Sequence, residues 1–179
     1  MRYIILVLAL IGLGVYINQR GKAPEPGPQP LPGISEAYEK KTPAGLPDEA
    51  WKFYGDAKDA VYDGDYARAE KDLSTAVSLK PDFTEAYYNL GATQANMAIE
   101  AASHDYNTKA VLLFRKAVEN KKKARELMKQ NIWYEYEGEQ QTQTRAAVEQ
   151  ALADADEVLD NEGALIDALH LWAQNKYNK

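Results

Sequence analysis

Residues 64–91 read GDYARAEKDLSTAVSLKPDFTEAYYNLG, and their order of small and bulky side chains predicts helix hairpins stacked in register. Gly64 permits the tight bend that joins two helices. Ala69, Leu73 and Ala76 are spaced by four and three residues, so they share one helix face. The alanines on this face let two backbones approach closely. The pattern therefore predicts an all-α protein.

This pattern resembles the tetratricopeptide repeat (TPR) family, whose unit is a helix–turn–helix of about 34 residues. The resemblance implies an α-solenoid of antiparallel helix hairpins over residues 48–179, in which His104-Asp105-Tyr106 takes the place of Gly64-Asp65-Tyr66. It divides this domain into a first repeat at 50–83, a second at 84–120, a degenerate third at 121–160 and a capping helix at 161–176. About six residues more than the family unit lie near 98–103 and lengthen either the helix or its turn.

Local signals predict helices at about 48–62, 66–79, 84–102 and 107–119, followed by a final amphipathic helix at 164–174. Helix-forming residues continue from Lys121 to Gln130 without glycine or proline. Two interpretations stay open here: the fourth helix runs on to about Gln130, or Asn120 breaks it and the third repeat begins.

In the family, the first helix of each hairpin lines a concave groove that holds a partner's peptide or helix. Carried over by position, the resemblance assigns to this groove Trp51, Tyr54, Lys58, Glu85, Tyr88, Asn89 and Ala92. The alternative is that Trp51 and Tyr54 pack on the lead-in segment or the cap. A clamp for a partner's terminal carboxylate is not expected, because Tyr54 and Lys58 stand where the family has Lys and Asn.

Two further clusters lie beyond the second repeat. Trp133, Tyr134 and Tyr136 form an aromatic cluster that predicts either core packing or a second contact with a partner. Lys121-Lys122-Lys123 predicts a solvated helix face balanced by neighbouring acids, with contact to anionic lipid as the alternative.

Residues 1–22 predict an N-terminal membrane anchor, formed by a single transmembrane helix. An unbroken apolar run at 3–17 is flanked by Arg2 and Arg20, and we extend the membrane contact to residues 3–19. The run is shorter than the ~20 residues that span a bilayer, so a cleaved signal peptide is the competing interpretation. No convincing cleavage site follows it. We expect a single-pass protein of the inner (cytoplasmic) membrane with its helical domain in the periplasm.

Residues 23–47 predict a linker and lead-in to the helical domain. Five of the eight prolines alternate with other residues between 24 and 32, which forbids helix and favours an extended spacer. The segment either holds the domain away from the bilayer or lies as a strap along a partner subunit.

The composition argues against chemistry at a reactive centre. The chain has no cysteine, two histidines and a net charge of −6, and it lacks the phosphate-loop, Gly-x-Ser-x-Gly and His-Glu-x-x-His motifs. We therefore expect no catalytic, cofactor or metal site, no small-molecule substrate and no nucleic-acid partner. The expected function is that of a membrane-anchored protein–protein interaction module, a scaffold or adaptor that assists or stabilises a membrane protein complex. The alternative is a permanent accessory subunit whose anchor and linker pack on partner subunits.

Overall fold

The computed structural model describes residues 42–177, and this part of the chain is entirely helical, without β-strands. In chain order the helices are α1 (Asp48–Tyr62), α2 (Tyr66–Leu79), α3 (Thr84–Ser103), α4 (Asn107–Lys129), α5 (Gly138–Leu159) and α6 (Glu162–Tyr177). The all-α prediction is confirmed. Short turns join α1 to α2, α3 to α4 and α5 to α6, whereas the eight residues 130–137, here called the α4–α5 loop, join α4 to α5.

The fourth helix is the element whose length the sequence left open. α4 continues without interruption to Lys129, so Asn120 lies inside it. The interpretation of a break at Asn120 is wrong, because no glycine or proline is present to stop the helix and buried Ala124 and Leu127 keep its apolar face in the core. If a third repeat starts at residue 121, its first helix is therefore the C-terminal part of α4.

The two hairpin turns have the same conformation, but the residue that matches Gly64 lies one position later than predicted. Gly64 has φ +78°, and in the second turn Asp105, rather than His104, takes this left-handed conformation with φ +59°. Aspartate tolerates positive φ better than most residues other than glycine. The turns are equally short, so the extra residues of the second hairpin lengthen α3, which has 20 residues against 15 in α1.

The core consists of two apolar clusters. The first contains residues of α1, α2 and the start of α3, with Tyr54 and Phe83 in ring contact at 4.8 Å between centroids. The second joins α3, α4, α5 and α6, and in it the rings of Phe114 and Trp172 lie 5.7 Å apart. Both rings of this second pair are fully buried, so α6 is fixed to the bundle by large apolar side chains.

α3 is the central helix, because it packs against α2, α4 and α6. Its small residues make this possible. A Cβ atom at Gly91 would lie 2.9 Å from the carbonyl oxygen of Ala117 and 3.0 Å from Cγ of Lys121. Only glycine at this position lets α3 and α4 approach so closely.

The predicted membrane anchor at 1–22, and residues 23–41 of the predicted linker, lie outside the described residues. Between residues 42 and 177, no helix is both long enough and apolar enough to cross a membrane.

Candidate protein-binding groove

The structure brings the seven predicted groove residues onto two neighbouring helices. Trp51, Tyr54 and Lys58 lie on α1, and Glu85, Tyr88, Asn89 and Ala92 lie on α3. We call the surface that these seven residues form the α1–α3 groove. Six of them are buried and Lys58 is half-buried. The groove is therefore not open to solvent, and the α4–α5 loop covers it at Tyr54, Lys58, Glu85 and Tyr88.

Glu85 holds the backbone of this loop. Its Oε1 atom accepts hydrogen bonds from the backbone N–H groups of Tyr134, Glu135 and Tyr136, at N···O distances of 2.8, 2.7 and 3.1 Å. Three successive N–H groups converge on one oxygen only where the chain bends, as it does here at residues 134 and 135. Glu85 has no exposed surface, so these bonds form away from water and are charge-assisted.

The side chain of Glu135 points into the groove. The Tyr54 hydroxyl donates to its Oε2 atom at 2.7 Å, and the Lys58 ammonium group lies 2.8 Å from its Oε1 atom. Asn89 in turn donates through Nδ2 to the Tyr54 hydroxyl oxygen at 2.9 Å. Two of the predicted groove residues thus contact one carboxylate, and Asn89 joins the network through the Tyr54 hydroxyl.

The aromatic cluster that the sequence treated as a separate contact packs on the same groove. Tyr134 meets Phe83 edge to face at 5.6 Å between centroids, and Tyr136 meets Tyr88 in the same way at 6.5 Å. Trp133 stacks on Tyr136 at 6.2 Å. The predicted groove and the predicted second contact are therefore the two halves of one interface within the chain.

Two of the predicted groove residues pack within the helices. Trp51 stacks on Tyr54 within the first apolar cluster, with ring centroids 5.6 Å apart. Ala92 is buried inside α3, where its carbonyl oxygen accepts from Asn96 of the same helix. Thr84, which the sequence did not single out, anchors the loop instead, because its hydroxyl donates to the carbonyl oxygen of Ile132 at 2.5 Å.

Lys121 behaves contrary to the prediction of a solvated basic face. It is fully buried, and its ammonium nitrogen lies 3.5 Å from the centre of the Tyr88 ring. The space beside Gly91 accommodates its aliphatic stem. Burial lowers the pKa of Lys121 to about 7 and raises the pKa of Tyr88 to about 12. Lys121 therefore supports the groove from behind and offers no basic surface to lipid.

Two polar atoms at this interface have no hydrogen-bond partner in the described part of the chain. They are Oε2 of Glu85 and Nε1 of Trp133, and both are buried. Burial of Tyr136 raises its pKa, and the nearby Glu135 carboxylate adds to the shift. The interface is thus polar in its centre and incompletely satisfied.

A second concave surface lies where the two hairpin turns meet. It encloses about 310 Å³ between the α1–α2 and α3–α4 turns, and Tyr66, Glu100, His104 and Lys109 contribute to its lining. Its residues have mixed charge. Between residues 42 and 177, no group of three or more His, Cys, Asp or Glu side chains is placed to hold a metal ion.

Glu135 is the groove contact that the sequence did not single out. Its signal was present, since it is the one acid between Trp133-Tyr134 and Tyr136. Nothing local, however, indicated that this acid faces α1.

No family model, no curated protein and no solved structure matches this chain.

Proposed function

We propose that the chain is a membrane-anchored protein–protein interaction module of the TPR type, a scaffold or adaptor that assists or stabilises a membrane protein complex. Its recognition site is the α1–α3 groove. The repeat resemblance between 50 and 120, the apolar run at 3–17 and the helical hairpins support this proposal.

One observation carries the proposal: the groove side chains bind a chain segment by both its backbone and its side chains. Glu85 takes three backbone N–H groups, and Lys58 with Tyr54 takes a carboxylate. These are the contacts by which a groove recognises a peptide of defined sequence. The occupant in this structure is the chain's own α4–α5 loop, so a partner would have to meet the loop or replace it.

The test is site-specific photocrosslinking in native membranes. A photoreactive amino acid at Glu137, exposed at the end of the loop, is compared with one at Glu157, exposed on α5 away from the groove. We expect position 137 to crosslink to one membrane protein that position 157 does not reach. Equal crosslinking from both positions, or none from either, would remove the groove as the recognition site.

A variant that tests the groove must leave the fold intact, and this requirement restricts the choice of substitution. Truncation of Trp51 or Tyr88 to alanine removes buried packing, so a loss of capture would be ambiguous. The side chain of Lys58 is 29% exposed, and Lys58→Gln removes its charge with little change in volume. We expect Lys58→Gln to alter the crosslinks from position 137, because it removes the carboxylate contact of the groove, and Lys52→Gln, on the exposed side of α1, to leave them unchanged.

A second candidate function is a permanent accessory subunit of a membrane complex. It is favoured by large apolar side chains that remain exposed outside the filled groove, of which Tyr62 is 67%, Tyr106 62% and Leu112 57% exposed. Aromatic residues are enriched in protein interfaces, and two of these three residues are tyrosines. Purification in mild detergent separates the two functions: stoichiometric co-migration with one complex supports the permanent subunit, and a free monomer supports the adaptor.

A further inference from the structure

We infer that the α4–α5 loop is an intramolecular competitor for the groove, and that the partner segment carries the same recognition chemistry, an acidic residue flanked by aromatic residues on a bend. This inference rests on the proposed function and names the partner class for the same site. It is drawn from the contacts of residues 132–136.

The groove imposes three requirements on any occupant. Glu85 requires successive backbone N–H groups that point to one side, which a bent segment provides and a regular strand does not. Lys58 and Tyr54 require a carboxylate. Phe83 and Tyr88 require aromatic rings at the positions immediately before and after the acidic residue. A segment with the order aromatic–acid–aromatic meets all three.

The loop has the properties of a replaceable occupant. Residues 132–136 are all half-buried, whereas the α3 residues beneath them are buried. The segment is also bounded by residues with positive φ, Asn131 (+58°) and Gly138 (+52°), so the chain changes direction at each end of it.

The loop also satisfies the groove incompletely. Glu85 is fully buried, yet its Oε2 atom accepts no hydrogen bond. An occupant with one further donor, such as an additional N–H or an amide, would donate the hydrogen bond that Oε2 of Glu85 lacks. Because a buried acceptor without a donor is costly, such a segment would have an advantage over the loop.

Competition has a quantitative consequence. The apparent association constant of a partner is its intrinsic association constant multiplied by the fraction of molecules whose groove is open. A substitution that weakens the loop without changing the groove must therefore tighten partner binding by the same factor. Glu135→Gln is such a substitution, since Glu135 belongs to the loop and Lys58 and Tyr54 remain in place.

The experiment uses a fluorescent peptide with the sequence of residues 131–138 (NIWYEYEG) and the full chain. We expect fluorescence anisotropy to show about 10-fold tighter binding to the Glu135→Gln variant than to the wild type. Glu157→Gln is the matched control and should bind like the wild type. A peptide with Gln at the central acid should lose about 10-fold in affinity, because Lys58 and Tyr54 no longer meet a carboxylate.

A second measurement uses the wild type alone, so that it does not depend on the folding of a variant. Millimolar unlabelled peptide should accelerate hydrogen exchange of the backbone amides of residues 134–136, since displacement removes their bonds to Glu85. Unchanged exchange at saturating peptide, or equal peptide affinity for wild type and Glu135→Gln, would overturn the inference. Dimerisation of Glu135→Gln without peptide binding would also overturn it and identify a second copy as the occupant.

The two proposals fail separately. A crosslinked membrane partner with no aromatic–acid–aromatic contact would leave the proposed function in place and refute the partner class. Peptide binding in vitro with no crosslink in native membranes would support the recognition chemistry and refute the function.

Discussion

Replacement of Glu85 gives the sharpest test of the interface between the loop and the groove. In Glu85→Ala the N–H groups of residues 134–136 lose their acceptor. A buried donor without a partner costs about 1–3 kcal/mol. The half-buried loop can relax towards water, and loss of the incompletely satisfied carboxylate offsets part of the penalty. We therefore expect a net loss of about 3 kcal/mol in the free energy of unfolding, a large share of the 5–15 kcal/mol typical of a domain.

Glu85→Gln separates the charge of this residue from its geometry. The amide oxygen can still accept the N–H groups, but neutral hydrogen bonds are roughly half as strong as charge-assisted ones. We expect a loss of about 1.5 kcal/mol, half that of the alanine variant. Glu157→Ala, exposed on α5, is the control and should change the stability by less than about 0.5 kcal/mol.

The assay is urea unfolding of the full chain followed by circular dichroism, combined with hydrogen exchange of the loop. If the loop opens locally, a loss of 3 kcal/mol accelerates exchange of the amides at 134–136 by about 100-fold. A Glu85→Ala protein with stability within about 0.5 kcal/mol of the wild type, and with unchanged exchange in the loop, would refute the reasoning.

Three further outcomes follow from the packing of the helices. Lys121→Met should stabilise the protein at pH 7 by on the order of 2 kcal/mol, because burial lowers the Lys121 pKa to about 7 and its contact with the Tyr88 ring offsets only part of that cost. Between pH 7 and 9.5 the unfolded chain binds a proton at Lys121 that the folded chain lacks, so wild-type stability should rise with pH in urea titrations and Lys121→Met should lack that rise. Gly91→Ala should destabilise by about 1–3 kcal/mol in the same titrations, because the added methyl group meets the Ala117 carbonyl, whereas Gly163→Ala, whose nearest neighbour is 3.4 Å away, should be neutral or slightly stabilising. Trp172→Ala should cost about 3–5 kcal/mol and increase hydrogen exchange throughout α6; protection equal to the wild type would contradict its role as the anchor of that helix.

The boundaries of α1, α2 and α3 were predictable because their signals are local. Proline at position 47 and aspartate and glutamate in the next turn mark the start of α1, and Asp65 caps α2 by accepting the N–H of Arg68 at 3.0 Å. Such signals act within one helical turn, so a single sequence contains them in full. The one turn placed in the wrong register has Asp105 at positive φ, where glycine would have made the position visible.

The candidate site could be predicted only in part. The repeat pattern selected residues of α1 and α3, among them the bonded pair Tyr54 and Asn89, and the aromatic cluster at 133–136 stood out by composition. Their meeting could not be predicted, because the bonds from Glu85 to the loop join residues 49 to 51 positions apart in the chain. No periodic pattern encodes a contact between a helix and a non-repeating loop.

The amino-acid order alone determines the bounds of α1, α2 and α3 and the apolar faces of the helices, since each depends on neighbours within a few residues. Folding in three dimensions adds two facts that reverse the simplest interpretation: the groove is filled by the α4–α5 loop, and Lys121 is buried instead of solvated. Both result from packing between distant segments. The loop finds its acceptor on Glu85, and Lys121 finds its space beside Gly91, only after α3 and α4 have come together.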